Sequence, residues 1–197
     1  GGNSKTGVIG LKPEATGVLR MKIVVFGLGY VGATATACLL RDGHTVVGVD
    51  LSPDKAAKIE IGLSPVSEPG LDDLLAAGRD AGRLSADTDV GAHLDDADIA
   101  MICVGTPSLP GGGLDLTQVC AVSAELGAAL KTREAAREAL IIAYRSTMYP
   151  GAMEEVVLPV LISAAGENPG TRYEAVLNPE FLRESTAIKD YYAPSRV

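Results

Sequence analysis

The chain has 197 residues, a formal net charge of −8, 47% hydrophobic and 21% charged residues, and three cysteines. That length can bury a full core in one large domain, or in a domain with an extension, and the composition is ordinary for a globular protein. The acidic balance argues against nucleic acid or an anionic membrane as the main partner, yet leaves nucleotides open, because a helix N-terminus binds phosphate without a basic patch.

Residues 1–20 are glycine-rich, mixed and aperiodic, without the apolar core of a signal peptide. They read as an upstream extension or expression remnant, with the domain running over 21–197 from Met21. No apolar run approaches the length of a membrane span. The stretch 21–50 reads MKIVVFGLGYVGATATACLLRDGHTVVGVD. A short apolar run (23–26) precedes Gly27, Gly29 and Gly32, then come an apolar-periodic segment and a β-branched run ending in Asp50. Strand, glycine turn, helix, strand and acid together form the context of a dinucleotide fingerprint. Gly27 allows the tight turn, Gly29 lets the backbone approach a pyrophosphate, and Gly32 lets the helix pack closely on the strand. The helix N-terminus offers unpaired N–H groups to phosphate. Asp50 stands where a carboxylate accepts hydrogen bonds from ribose hydroxyls, and its like charge would repel a 2′-phosphate. A lone glycine motif is weak evidence; here every neighbouring element coincides with it.

Ser52 reads as an N-cap with Pro53 at the first position of a helix to about 61. Residues 62–70 form a loop with two prolines, a second helix covers 71–81, and a short strand covers 84–86. Helical spacing is weak over 89–95. A fully apolar strand over 99–104 ends in Gly105-Thr106-Pro107, followed by a glycine-rich loop at 110–113. A long helix over 116–130 carries Val119, Val122, Leu126 and Leu130 on one face. A strand over 140–143 breaks at Arg145-Ser146-Thr147. A helix over 153–164 is expected to bury Val156, Val160 and Leu161. A strand over 173–177 and a turn at 178–181 follow. Cys38 falls in a helix, Cys103 in a strand and Cys120 in another helix; their odd number and spacing fit reduced thiols in a cytoplasmic protein. No metal site is expected. This alternation predicts an α/β, Rossmann-like, doubly wound and mostly parallel sheet with helices on both faces. Ligands in such sheets bind at the carboxyl edge, where the exits at 103–107, 145–147 and 178–180 converge.

At these residues the chain resembles the nucleotide-sugar 6-dehydrogenases. FGLGYVG (26–32), GVD (48–50), SPVSEPGL (64–71), CVGTPS (103–108), RSTMYPG (145–151) and NPEFLRESTAIKDY (178–191) run in the family's order. The tail RESTAIKDY and GRLSADTD (82–89) look more like the GDP-mannose branch; UDP-glucose enzymes usually carry glycine where Ser185 stands. The resemblance implies oxidation of a sugar C6 alcohol to a carboxylate with two NAD, in exopolysaccharide precursor synthesis, by a full-length enzyme that is a homo-oligomer. It implies that Tyr30, Val31, Asp50, Lys55 and Thr106 contact NAD, and that Thr147 sits by the nicotinamide and positions a water. Glu180 would bind substrate and assist acid–base steps, with Phe181, Leu182, Arg183 and Glu184 completing a substrate loop. Only its place in the family pattern lifts Lys55 above a solvated charge, and Glu68 reads as a loop acid more than as a ligand.

One departure stands out. The family places a cysteine nucleophile in a Gly-Gly-Ser-Cys setting, with a lysine, well beyond its first domain; the cysteine holds the aldehyde between the two oxidations. None of Cys38, Cys103 or Cys120 has that setting. The expectation is therefore the cofactor-binding part of such an enzyme, inactive alone. The alternatives are a UDP-glucose 6-dehydrogenase piece, or a free-standing NAD-binding module or split-enzyme subunit.

Overall fold

The computed structural model describes residues 19–133 and 138–194, so most of the extension expected over 1–20 lies outside the described residues. Strand β1 (Lys22–Phe26) takes the middle of the sheet because it is apolar on both sides. Successive side chains of a strand point to opposite faces. Ile23 and Val25 accordingly join one core cluster, and Val24 and Phe26 join the other. Helices α1 (Tyr30–Arg41) and α3 (Leu71–Asp80) cover the first face, while α4 (Thr117–Leu130) and α5 (Leu158–Ala165) cover the second.

Strand β2 (Thr45–Val49) pairs with one edge of β1 and β4 (Ile99–Ile102) with the other. Strands β3 (Leu84–Asp87), β5 (Leu140–Tyr144) and β6 (Tyr173–Leu177) extend the sheet to the order β3-β2-β1-β4-β5-β6. All five pairings are parallel. This is the doubly wound order, whose reversal point lies between β1 and β4. Helix α2 (Pro53–Glu60) follows β2, and α6 (Ala187–Tyr192) packs back toward α1, with the Tyr192 hydroxyl donating to the Cys38 carbonyl at 3.0 Å. No helix among the described residues is long and apolar enough to cross a membrane.

Several expectations need correction. Strand β4 stops at Ile102, two residues early, because its neighbour β1 turns away at Gly27; Cys103 donates one last bond to the Phe26 carbonyl (2.7 Å) and lies at the strand exit, not within it. Ser52 precedes α2, but its side chain makes no capping bond; Pro53 opens the helix as expected. The helix expected over 153–164 begins with a π-helical turn, Met153–Val157, before α5. Pro159 has no N–H for the Glu155 carbonyl, and the wider turn accommodates that loss. The buried residues become Met153, Val157, Leu161 and Ala165, while Val156 and Val160 are only partly buried. Helix α6 lies outside the elements expected, whereas residues 89–95 form no helix, in line with the weak helical spacing there.

Helices α4 and α5 approach closely at Gly127. A Cβ there would lie 2.7 Å from the Ala164 Cβ, 2.8 Å from the Ala165 nitrogen and 2.8 Å from the Leu161 oxygen. Alanine favours a helix by about 1 kcal/mol over glycine, but overpacking costs about 1–3 kcal/mol, and two of these neighbours are backbone atoms that cannot swing aside. Gly127→Ala should therefore lower stability by about 1 kcal/mol net, read as an earlier thermal melt. An unchanged or later melt would show that the two helices separate freely.

Candidate functional site

The exits of β1, β2, β4, β5 and β6 border a cleft of about 840 Å³. Its floor is the turn between β1 and α1. Gly27 has φ +91°, donates its N–H to the Val49 carbonyl at 2.8 Å, and would drive a Cβ to 2.9 Å from the Cys103 and Val104 backbone. A Cβ on Gly32 would lie 1.8 Å from the Gly27 oxygen, so the close packing concerns the turn itself more than the strand. A Cβ on Gly29 would meet no atom within 4 Å, because Gly29 faces the open cleft. No side chain caps α1, whose first residues Tyr30 and Val31 line the cleft. Unpaired N–H groups at the positive end of the helix dipole therefore border open space.

Asp50 is held in place before any ligand arrives. Its Oδ2 accepts the Leu28 N–H at 2.7 Å and its Oδ1 the Ser52 N–H at 2.9 Å. Lys55 Nζ lies 3.4 Å from Oδ2, with the Asp50 side chain 12% and the Lys55 side chain 42% exposed. The carboxylate has lone pairs left to accept hydroxyl donors, and Lys55 is paired, not simply solvated.

The far end of the cleft is built from three cross-linked strand exits. The Thr106 hydroxyl donates to the Thr147 carbonyl at 2.8 Å, and the Ser146 hydroxyl to the Val104 carbonyl at 2.6 Å, tying the β4 exit to the β5 exit. Arg145 Nη1 donates to Asn178 Oδ1 at 2.6 Å, and the guanidinium lies 5.5 Å from the Tyr191 ring centroid, tying β5 to the β6 exit and α6. Thr147 and Glu180 both line the cleft, although thirty-three positions separate them. Cys103 also borders it, but burial pushes its thiol up to about 12.

Of the expected substrate loop, Glu180 reaches this cleft and Phe181, Leu182, Arg183 and Glu184 do not. Glu180 Oε2 accepts the Leu182 N–H at 2.6 Å, which fixes the loop's start. Arg183 turns away onto buried Asp190, with Nε 3.0 Å from Oδ2 and Nη2 2.7 Å from Oδ1. Those bonds hold the Asp190 carboxyl well below the usual carboxylate range. Phe181 and Glu184 are exposed.

Arg145 and Ser146 carry no sequence signal as site residues, and Glu68 is more than the loop acid that its sequence suggests. Glu68 is buried, accepts the Ser185 N–H at 2.7 Å and the Ala187 N–H at 2.9 Å, and bonds the Tyr30 hydroxyl. No local spacing signals these contacts, since the nearest partner stands thirty-eight positions away. Ser185 itself has φ +67°, in the left-handed region that favours glycine.

The sequence profile of the UDP-glucose/GDP-mannose dehydrogenase family, NAD binding domain, matches residues 21–197. Over 174 residues the chain is 47% identical to the GDP-mannose 6-dehydrogenase of Pseudomonas aeruginosa, covering 88% of this chain and 39% of that protein. It is 35% identical over 178 residues to a UDP-glucose 6-dehydrogenase of Haloferax volcanii, covering 90% and 40%. A crystal structure of a ternary complex of the Pseudomonas aeruginosa GDP-mannose dehydrogenase matches with a TM-score of 0.82 at 47% identity, over 87% of this chain and 38% of that one. A UDP-glucose dehydrogenase from Pyrobaculum islandicum also matches at 0.82, with 32% identity over 94% and 41%. The chain thus spans about two fifths of the length of the curated relatives it matches.

The strained Ser185 gives a test of the local geometry. A non-glycine residue in this region costs about 1–2 kcal/mol, and the extra chain entropy of glycine offsets roughly 0.5–1 kcal/mol of the relief. Ser185→Gly should therefore raise stability by about 0.5–1 kcal/mol, measured as a higher urea midpoint. A lower midpoint would mean that the serine side chain contributes more than the backbone strain costs.

Proposed function

The chain belongs to the UDP-glucose/GDP-mannose dehydrogenase family, as its NAD binding domain, and from that premise we propose that it is the cofactor-holding part of a GDP-mannose 6-dehydrogenase. The observation that carries this reading is one continuous cleft bordered at one end by the glycine turn with Asp50, and at the other by Thr147 and Glu180. The identity of 47% to a GDP-mannose enzyme against 35% to a UDP-glucose enzyme favours GDP-mannose as the substrate.

The cleft fits NAD on the protein's own features. The space beside Gly29 is open, the start of α1 is uncapped, and the Asp50 carboxylate is preset by two backbone N–H groups. In this reading the N–H groups of Tyr30 and Val31 receive the pyrophosphate, and Asp50, steadied by Lys55, accepts the adenine-side ribose hydroxyls. Thr106 and Thr147 border the nicotinamide end. NAD, when bound, supplies the acceptor for the hydride that leaves the sugar C6. Thr147 holds a water with its hydroxyl, and Glu180 moves a proton at the substrate oxygen, work typically worth ~10²–10⁴ in rate. Phe181, Leu182, Arg183 and Glu184 give the substrate loop its shape around Glu180.

Oxidising an alcohol to a carboxylate removes four electrons, so the aldehyde must be held between two oxidations. Burial pushes the Cys103 thiol to about 12 and the Cys38 thiol to about 11, and it raises Cys120 as well. None of the three is a ready thiolate at neutral pH. These 197 residues should therefore bind NAD without completing the reaction.

Calorimetry on the chain tests the reading. NAD should bind, and NADP should bind at least tenfold more weakly, because its 2′-phosphate meets the charge of Asp50. A charged hydrogen bond contributes about 1.5–3 kcal/mol, so Asp50→Ala should weaken NAD by about ten- to a hundredfold. Asp50 also holds the Leu28 and Ser52 N–H groups, so the decisive quantity is the NAD-to-NADP ratio, which Asp50→Ala should narrow. GDP-mannose with NAD should yield no NADH above background. Equal affinity for the two cofactors, or steady NADH production, would contradict the assignment.

A further inference from the structure

Two segments distant in sequence from Glu68, at Tyr30 and at 185–187, end on its carboxylate. Glu68 precedes Pro69 and Gly70, and Gly70 (φ +83°) is the N-cap of α3, which starts at Leu71. The Leu71 N–H bonds back to the Glu68 carbonyl at 3.3 Å, so the acid stands on a fixed base. Its side chain is buried, with the residue 8% exposed. Oε2 accepts the Ser185 N–H at 2.7 Å and the Tyr30 hydroxyl, and Oε1 accepts the Ala187 N–H at 2.9 Å. Ion pairs among the described residues do not include Glu68. A buried carboxylate surrounded by donors and unpaired with a cation acts as an acceptor that organises backbone, since the Ser185 and Ala187 N–H groups would lose their acceptor without it.

One of those donors is the strained residue's own N–H and another lies two residues on. Ser185 at φ +67° persists only where its surroundings over-determine it. Glu68 provides that constraint at 185 itself and at 187, where α6 begins. The third donor belongs to the cofactor side. Tyr30 is the first residue of α1 and lines the cleft, while its hydroxyl also lies 3.2 Å from the Arg183 carbonyl. Burial, with the hydrogen bond to Glu68, pushes the Tyr30 phenol well above its ordinary range, so it remains a donor at physiological pH.

We propose that Glu68 is a positioning residue that tethers the 180–187 loop to Tyr30 at the rim of the cofactor cleft, so that filling the cleft and ordering the loop are coupled. The coupling rests on the NAD reading given above; the tether itself does not. A ligand that immobilises Tyr30 also immobilises one arm of the Glu68 carboxylate and so lowers the cost of ordering the loop, and the effect is reciprocal.

NMR-detected amide exchange on the 197-residue chain tests this, with NAD occupancy matched between variants from each one's own affinity. Glu68→Gln keeps the volume but replaces one acceptor oxygen with an NH₂ group that confronts an N–H donor. In the ligand-free chain it should speed exchange at Ser185 and Ala187 by about ten- to a hundredfold, while Val24 in β1 stays protected. A packing role alone would leave this isosteric variant like wild type. Tyr30→Phe keeps both loop bonds to Glu68 and removes the hydroxyl's bonds to Glu68 and to the Arg183 carbonyl, which together link the loop to the cleft. NAD should slow exchange at Ser185 and Ala187 in wild type and fail to do so in Tyr30→Phe. Unchanged loop exchange in Glu68→Gln overturns the tether. NAD-dependent slowing that survives in Tyr30→Phe overturns the coupling. If Glu68→Gln loses protection at Val24 as well, Tyr30→Phe decides the proposal by the same criterion. Failure of wild type to bind NAD overturns the proposed function and the coupling with it, while the ligand-free comparison still judges the tether.

Discussion

The contact between Gly32 and the Gly27 carbonyl governs the site. A Cβ at Gly32 would stand 1.8 Å from that oxygen, and one at Gly27 would strike the backbone leaving β4. With both positions bare, α1 starts directly at the end of β1, and its uncapped N-terminus points along the carboxyl edge of the sheet. A Cβ on the third glycine, Gly29, would meet no atom within 4 Å, which leaves the approach clear. Asp50 then completes the turn from the neighbouring strand by accepting the Leu28 N–H, so one carboxylate fixes the turn and faces the cleft. Even conservative side-chain additions at the two packed glycines would displace backbone, and backbone has nowhere to go in this layer.

The other end of the cleft owes its form to side chains that reach across strand exits. Thr106, Ser146 and Arg145 each bond to a neighbouring exit loop. A parallel sheet brings these loops side by side, but their pairing is not part of the ladder, so polar side chains must supply it. That arrangement leaves Thr147 and Glu180 on a braced rim. Catalytic geometry of the proposed kind depends on such bracing, because small displacements of a positioned group cost large factors in rate.

Much of this was legible in the sequence for a simple physical reason. Strands covered on both faces read as continuous apolar runs, as at 23–26 and 140–143, and glycines at fixed offsets mark a turn that no other residue can make. Asp50, Thr106, Thr147 and Glu180 could be placed because each lies within a few residues of a strand end. Phe181 to Glu184 could be placed on a loop but not oriented, since Arg183 turns to a partner seven positions on. What stayed hidden depends on distance or on local geometry. Glu68 meets Ser185 and Ala187 across more than a hundred positions. The π-helical turn arises from one proline, and it moves Val156 and Val160 off the buried stripe. Helix α6 is too short for a periodic signal.

In the proposed function the glycine turn and Asp50 hold the adenine half of NAD while Thr106 and Thr147 border the nicotinamide. A crystal structure of the chain with NAD tests this most directly. It should show the pyrophosphate against the backbone N–H groups at 29–31, a ribose hydroxyl hydrogen-bonded to the Asp50 carboxylate, and the nicotinamide beside Thr106 and Thr147. NAD lying elsewhere, or bound in this cleft with Asp50 unengaged, would contradict it.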